Sequence, residues 1–320
     1  MQRFVLLIFF LSAFLISSAQ ENDTISLNEV SRIMHTLASD SMKGRKNYSV
    51  ELTVAAHFIA REFEKDSLKY FPGFESYFHQ FTTRTEGENE KLSKISGADR
   101  LFNVIGVLEG KSRANEVVIF SAHYDHVGID RLRSDSIFNG ANDNASGTTA
   151  LLSLAHYFSK RNDNERTLIF CAFAGEELGM TGSNLFSQQI VSDAIVAMIN
   201  IEMIGMTNVA GRNAFFVTGA DYSDLAGMLK RNLKGTKFKI RSEPPAESML
   251  FIRSDNFPFV KKGVPAHSIM CSDDKEPCYH QPCDEIKKID LKNMTAVIRA
   301  IAIATKGLVM GTDTPKRIKY

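Results

Sequence analysis

The stretch TLIFCAFAGEELG, residues 167–179, joins an apolar run to two adjacent glutamates, Glu176 and Glu177. The run has the composition of a buried β-strand, and the glutamates stand where that strand ends. Because successive residues of a strand point to opposite faces, two neighbouring carboxylates at its end can face different surroundings. We therefore expect Glu176 and Glu177 to have different tasks at the edge of a sheet.

Similar apolar runs alternate with segments of helical spacing along most of the chain. Strands are predicted at 73–85, 101–110, 117–125, 167–174, 194–202, 213–219 and 264–270, and helices at 26–39, 50–65, 147–160, 181–190, 222–232 and 290–309. This alternation predicts an α/β fold, with a mixed, mostly parallel sheet and helices on both faces.

The composition is that of an ordinary globular protein. The 320 residues carry a formal net charge of +1, and 44% of them are hydrophobic. A balanced charge gives no electrostatic argument for a nucleic-acid partner or an anionic membrane surface, so neither is predicted. The length suits one large domain, which we assign to residues 20–320, and the sequence predicts no particular oligomeric state.

Residues 1–19 are predicted to be a secretory signal peptide. Arg3 precedes the apolar core FVLLIFFLSAFLI (4–16), and the small residues Ser17 and Ala19 suit cleavage after Ala19. A membrane anchor is the alternative, but the apolar run is shorter than the roughly 20 residues that span a bilayer. We expect a secreted or periplasmic protein with no stable membrane association after cleavage.

Three of the four cysteines crowd into the loop CSDDKEPCYHQPC (271–283), around His280. Export permits a disulfide in this loop, and we predict Cys278–Cys283, with Cys271–Cys278 as the alternative pairing. A zinc site made of cysteine and histidine is a competing interpretation, but the loop lacks a second close pair of ligands. The fourth cysteine, Cys171, lies within the apolar run and is interpreted as a small core residue.

Metal-ligating residue types gather after four of the predicted strands. His123 and Asp143 follow the strand at 117–122, Glu177 and Glu202 follow the next two strands, and His280 follows the strand at 264–270. In open α/β sheets, ligands bind at the carboxyl ends of the strands. Imidazole and carboxylate suit zinc, and five ligands with one bridging carboxylate make two three-ligand sites, each with an open position.

Each of these residues alone also has an ordinary explanation. A single carboxylate at a strand end often caps a helix or faces water, and Asp143 suits a turn. His126 and His156 are interpreted as structural or surface histidines, and His35, His57 and His79 are assigned no role. Only the joint pattern favours a metal centre.

Five motifs stand in an order and spacing similar to those of one known family. They are AHYDHVG (122–128), NGANDNASGT (139–148), GEELGMTGS (175–183), NIEMIG (200–205) and YHQPCDEIKKID (279–290). They resemble the secreted di-zinc aminopeptidases of metallopeptidase family twenty-eight, a resemblance that extends weakly to MKGRKN (42–47). It implies a zinc-exopeptidase (phosphorylase/hydrolase-like) fold, two Zn²⁺ ions and a peptide substrate.

The resemblance also implies a role for each ligand. Asp143 would bridge both metals, His123 and Glu202 would complete one site, and Glu177 and His280 would complete the other. Glu202 departs from the aspartate that is frequent in the family, but a longer carboxylate can still bind zinc. Asn142 and Asn256 also replace common family residues, and the latter affects only local loop detail.

Beyond the ligands, the resemblance implies two catalytic residues and one backbone feature. Asp125 would orient the imidazole of His123, and Glu176 would act as the general base. A cis peptide bond is expected between Asn142 and Asp143.

Three alternatives to an aminopeptidase remain open. A glutaminyl cyclase-like acyltransferase would use the same fold, and a carboxypeptidase would need a cation such as Arg253 for the substrate's free carboxylate. A catalytically inactive binding protein is the third alternative, against which the complete ligand set and Glu176 both argue.

Overall fold

The computed structural model describes residues 25–84, 98–245 and 249–320. The predicted signal peptide, residues 1–19, lies outside the described residues and stays a prediction, as does the domain boundary at residue 20. No helix in these three ranges has the length and apolar character needed to cross a membrane.

The described residues alternate strands and helices as the sequence predicts. The helices are α1 (Leu27–Leu37), α2 (Val50–Lys65), α3 (Gly147–Arg161), α4 (Thr181–Ser187), α5 (Leu225–Asn232), α6 (Phe257–Val260), α7 (Leu291–Ala304) and α8 (Lys306–Val309). The strands are β1 (Phe78–Phe81), β2 (Leu101–Leu108), β3 (Arg113–His123), β4 (Gly128–Ile129), β5 (Ile137–Phe138), β6 (Arg166–Phe173), β7 (Ile195–Ile201), β8 (Ala214–Val217), β9 (Lys239–Arg241) and β10 (Ala266–Met270).

Eight of the described strands form one mixed sheet in the order β1-β2-β6-β3-β7-β10-β8-β9, and β4 pairs with β5 in a separate hairpin. The four central strands, β6, β3, β7 and β10, are mutually parallel. Antiparallel pairs join β1 to β2, β2 to β6 and β8 to β10, whereas β8 and β9 run parallel. The carboxyl ends of the four central strands therefore meet at one edge, and the predicted mixed, mostly parallel sheet is confirmed.

Both faces of the sheet are covered, which explains the continuous apolar runs of the central strands. On β3, Val118 and Phe120 belong to the larger core, which includes buried residues of α1, α2, α3, α5 and α7. Ile119, on the opposite face, packs in a second core with Phe186 of α4 and Phe259 of α6. Helices thus lie on both faces, as predicted.

The structure corrects two element predictions. The strand predicted at 73–85 is confined to β1, because the chain at 71–77 makes turns and bends instead. The single helix predicted at 290–309 is two helices that meet at Thr305, whose hydroxyl donates to the carbonyl of Ile301. A threonine hydroxyl that bonds back to the preceding turn competes with continuation of the helix.

Candidate metal centre

The fold brings the five predicted ligands together at the carboxyl edge of the sheet. His123 is the last residue of β3, Glu177 follows β6, and Glu202 directly follows β7. Asp143 lies in the irregular turn before α3, and His280 lies in the loop after β10. Their donor atoms form two clusters that share Asp143.

The first cluster contains His123, Asp143 and Glu202, all of them buried. Nε2 of His123 lies 3.3 Å from Oδ1 of Asp143 and 3.9 Å from Oε1 of Glu202. Ser254 donates a hydrogen bond to the other oxygen of Glu202, Oε2, which leaves Oε1 directed at the cluster.

The second cluster uses the other oxygen of the shared aspartate. Nε2 of His280 lies 3.1 Å from Oδ2 of Asp143 and 3.0 Å from Oε1 of Glu177. His126 joins this group, with its Nδ1 3.2 Å from Oε1 of Glu177. Asp143 thus offers one oxygen to each cluster, which is the arrangement that a bridging carboxylate requires.

The donor set fits a pair of divalent cations. Nε2 of both His123 and His280 is buried and makes no well-directed hydrogen bond within the described ranges, although each faces carboxylate oxygens. A nitrogen in that position suits a cation placed between it and the carboxylates. Zinc takes imidazole nitrogen and carboxylate oxygen, so the residues present fit zinc.

The pKa shifts of the clustered carboxylates also favour a bound cation. Burial alone would raise the pKa of Asp143, but contacts with His123 and His280 hold that pKa well below its ordinary value. Burial likewise opposes ionisation of Glu177, yet the imidazoles of His126 and His280 lower its pKa to about 2. Several carboxylates in so little space need positive charge, because buried charges are stable only when they are paired or bind metals.

The pKa of Glu176 is shifted in the opposite direction from that of Glu177. It is not a member of either cluster of donor atoms, and its pKa is raised well above the ordinary value, chiefly by burial and also by the nearby charge of Glu202. The adjacent carboxylates therefore have opposite electrostatic environments, although both lie in a turn after β6 and not in the strand itself.

Asp125 holds the turn that carries both glutamates. Its carboxylate accepts hydrogen bonds from the backbone N–H of Glu176 at 3.3 Å and of Glu177 at 3.2 Å, and from the side chain of Asn47 at 2.6 Å. Nδ1 of His123 lies 3.2 Å from the backbone oxygen of Asp125 and 3.7 Å from Oδ1. Orientation of that imidazole by the carboxylate itself stays a prediction.

A buried network fixes the shared aspartate. The carboxylate of Asp284 accepts from the backbone N–H of Asn142 at 2.8 Å and of Asp143 at 3.0 Å. Asn144 donates to the carbonyl of Ile201 at the end of β7, at 3.0 Å. The expected cis bond between Asn142 and Asp143 is wrong, because the cis peptide lies one residue later, between Asp143 and Asn144. The hydrogen bonds made by Asp284 and Asn144 hold the turn on both sides of this cis peptide.

Arg45 secures the loops behind the site. It is fully buried and donates to the backbone carbonyls of Leu37, Tyr124, Asn139 and Gly140. Two of these carbonyls flank the segments that carry Asp125 and Asp143. The weak similarity at MKGRKN therefore falls on a residue that supports the centre.

The cysteine loop is closed as predicted. Cys278 and Cys283 form a disulfide with a Cα–Cα distance of 5.3 Å, and the pair brackets His280. Cys171 and Cys271 are free and buried. The alternative pairing Cys271–Cys278 is therefore wrong, and so is a zinc site that uses the loop cysteines.

Sequence reasoning misses two side chains that the structure places here. His126 is only 1% exposed, which excludes the surface alternative of its interpretation and leaves the structural one; its position three residues after His123 is the available signal for a place in the centre. Asp284 follows the disulfide directly and has no signal beyond its place in the last motif. His156 is exposed and pairs with Asp66 at 2.7 Å, in keeping with the surface interpretation.

A narrow cavity opens onto the first cluster. Asp143, Glu176 and Glu202 line it, together with Leu250, Tyr279 and Arg253. The guanidinium of Arg253 pairs with the carboxylate of Asp274, which also lines the cavity.

A mixed α/β sheet with histidine and carboxylate ligands at its carboxyl edge is typical of metal-dependent hydrolases. The model of Peptidase family M28 matches residues 103–305, and the chain belongs to that family.

Two curated relatives illustrate the similarity. Aminopeptidase YwaD of Bacillus subtilis is 26% identical over 229 residues, which cover 68% of this chain and 47% of the relative. A probable zinc metalloprotease of Pyricularia oryzae is 33% identical over 119 residues, which cover 37% of this chain and 23% of the relative. The chain thus spans less than half the length of these two relatives.

Solved structures share the fold over a greater length. BSAP, a zinc aminopeptidase from Bacillus subtilis, has a TM-score of 0.70 at 17% identity and matches over 90% of this chain and 96% of its own. Porphyromonas gingivalis glutaminyl cyclase has a TM-score of 0.68 at 15% identity, over 90% of this chain and 100% of its own. At these identities the likeness establishes the fold alone.

Proposed function

We propose that the protein is a di-zinc aminopeptidase that hydrolyses N-terminal residues from peptides. One observation carries the proposal: Asp143 directs one carboxylate oxygen at His123 and the other at His280. A residue with a purely structural role has no need to present both oxygens to separate histidine–carboxylate groups. Family membership, one relative described as an aminopeptidase and another described as a probable zinc metalloprotease support the same function.

The centre would hold two zinc ions. His123, Asp143 and Glu202 would bind one, and Asp143, Glu177 and His280 would bind the other. When bound, such a pair of ions polarises the scissile carbonyl and lowers the pKa of the attacking water.

Glu176 is proposed as the general base. It lines the same cavity as Asp143 and Glu202. Burial raises its pKa, and a carboxylate with a raised pKa is a stronger base near neutral pH. The carboxylate of Glu176 would take the proton from the attacking water and pass it to the leaving amine. Asp125 would act as a positioning residue, through its hydrogen bonds to the Glu176–Glu177 backbone.

The cavity wall favours an aminopeptidase over a carboxypeptidase. A carboxypeptidase would need a cation for the substrate's free carboxylate, and Arg253 is the candidate. Its guanidinium is engaged with Asp274, so that charge is already neutralised within the wall. The glutaminyl cyclase alternative has the fold likeness in its favour, but both clusters are complete here, which suits a two-metal hydrolase better.

One substrate panel tests these possibilities together. Purified protein would be assayed with aminoacyl anilides, N-acetylated peptides and peptides with an N-terminal glutamine, and zinc would be counted on the same sample. We expect about two zinc ions per chain, release of free amino acids and no cleavage of blocked peptides. Cyclisation of the glutaminyl peptide without hydrolysis, or hydrolysis from the carboxyl terminus, would contradict the proposal.

We further propose that the mature protein is secreted or periplasmic and has no stable membrane association. The support is the signal-like sequence of residues 1–19. Because export permits disulfides, the Cys278–Cys283 bond in the structure is compatible with this location.

A further inference from the structure

His126 is placed like a metal ligand and not like a supporting residue. Its side chain is buried, and its Nδ1 lies 3.2 Å from Oε1 of Glu177 and 3.7 Å from Oδ2 of Asp143. Those are the same two oxygens that Nε2 of His280 approaches, at 3.0 and 3.1 Å. The two imidazole rings meet edge to face, with centroids 5.4 Å apart.

The distances between imidazole nitrogens and carboxylate oxygens in this cluster match those of a tetrahedral zinc site. Four ligands at about 2.0–2.1 Å from a tetrahedral zinc ion lie about 3.3–3.4 Å from one another. The four measured edges between imidazole nitrogens and carboxylate oxygens range from 3.0 to 3.7 Å. All four donor atoms lie within 4.8 Å of one another, so one cation can be shared by His126, Asp143, Glu177 and His280.

The other cluster is built differently. His123, Asp143 and Glu202 supply three donors, and the cavity opens directly onto this cluster and onto Glu176. His126, Glu177 and His280 do not line that cavity, although the side chains of Glu177 and His280 are 18% and 33% exposed, so ligand number and not burial distinguishes the two positions. Structural zinc sites have four protein ligands, whereas catalytic ones have three and keep an open position.

We propose that His126 is a fourth protein ligand that closes one of the two metal positions, so that only the position of His123, Asp143 and Glu202 accepts water and substrate. This inference rests on the proposed metal centre. It assigns a structural and electrostatic task to the closed position, and it places the chemistry at the position that adjoins Glu176.

Cadmium NMR tests this directly and does not depend on activity. The protein would carry 15N-labelled histidine and spin-active cadmium in place of zinc, and one-bond cadmium–nitrogen couplings would be recorded. We expect three coupled histidines, with His126 bound through Nδ1 and both His123 and His280 bound through Nε2. His156, exposed and paired with Asp66, is the internal control and should show no coupling.

The count of coupled rings needs no variant, so the result does not depend on whether a substituted protein folds. Loss of one coupling in His126→Gln would assign the third ring. Couplings from His123 and His280 alone would overturn the role of His126 while leaving the metal centre intact. No coupling from any histidine would overturn the metal centre and this inference together.

A zinc titration gives a second measure. His126→Gln should weaken one of the two zinc-binding steps at least tenfold and leave the other within about twofold, because a ligand is lost from one position only. His156→Gln, the matched control, should change neither step. If His126→Gln binds both zinc ions as tightly as the unsubstituted protein does, the proposal is contradicted.

Discussion

Substitution of Glu176 or Glu177 by glutamine should disable the protein in two different ways. Each change keeps the size of the side chain and removes one negative charge. Glu177 directs Oε1 at His280 and His126, at 3.0 and 3.2 Å, whereas Glu176 belongs to neither donor cluster and faces the cavity. We therefore expect loss of metal from one variant and loss of rate from the other.

The expected loss of zinc affinity in Glu177→Gln follows from the surroundings of the carboxylate. A pKa of about 2 in place of 4.5 means that the surroundings favour the ionised form by about 3 kcal/mol. A cation that replaces the imidazole protons depends on the same negative charge. Glu177→Gln should therefore weaken zinc binding at this position by about 100-fold, since each 1.4 kcal/mol corresponds to about tenfold in affinity.

The expected loss of catalytic rate in Glu176→Gln follows from the proposed role of Glu176 as the general base. Removal of a general base slows catalysis by roughly 10²–10⁴-fold, or about 3–5 kcal/mol of barrier. Glu176→Gln should lower kcat by that factor, with KM changed little and zinc content near that of the unsubstituted protein. Glu64→Gln, an exposed change on α2, is the matched control and should alter neither quantity.

Zinc content and steady-state rates measured on the same preparations decide the outcome. If Glu176→Gln loses zinc and Glu177→Gln retains it, the two roles are exchanged. If neither variant changes the rate of hydrolysis, the metallopeptidase mechanism itself is refuted.

Four further outcomes are expected. Glu202→Asp should keep most of the zinc, whereas Glu202→Ala should lose one ion, as measured by metal analysis; retention of both ions by Glu202→Ala would remove it from the ligand set. Arg45→Ala should lower the free energy of unfolding by about 3 kcal/mol or more in urea, because four buried carbonyls lose their donor; an effect below about 1 kcal/mol would contradict this. Burial lowers the pKa of His267 to about 4, so the stability linked to it is complete above its ordinary value of 6.5 and is lost as pH falls from 6.5 towards 4; His267→Phe should reduce that loss in urea titrations, and equal acid sensitivity would argue against it. Intact-mass analysis of exported protein should find Gln20 at or near the N-terminus, and retention of residues 1–19 would exclude the predicted cleavage.

The central sheet could be predicted from the sequence because its signals are local. The runs at 117–125, 167–174 and 194–202 are apolar on both faces, which marks buried parallel strands, and each leads into polar residues. The outer strands have weaker signals: β9 has only three residues and alternates exposed and half-buried positions. Pairing order and direction depend on contacts distant in sequence, so they could not be obtained from periodicity.

The site prediction is also limited by contacts between residues that are distant in sequence. The grouping of the five proposed ligands could be predicted because each stands at a strand end or in a motif of known spacing. Asp284 supports Asp143 across more than a hundred residues of sequence, through backbone N–H groups whose direction only the folded turn defines. No pattern of residue types reveals which backbone amides will need an acceptor.

His126 shows a different limit. The resemblance assigns five ligands and His126 is not among them, and a histidine considered alone is interpreted as structural or on the surface. In the fold, the short segment after β3 places His123 and His126 on opposite sides of Asp143, with one facing each oxygen of the bridging carboxylate. A centre whose positions differ in ligand number can separate its tasks: in the proposed centre, the closed position would fix the charge and orientation of Asp143, and the open one would bind substrate next to Glu176. On this argument the adjacent glutamates differ because they serve unlike positions, Glu177 the closed one and Glu176 the open one.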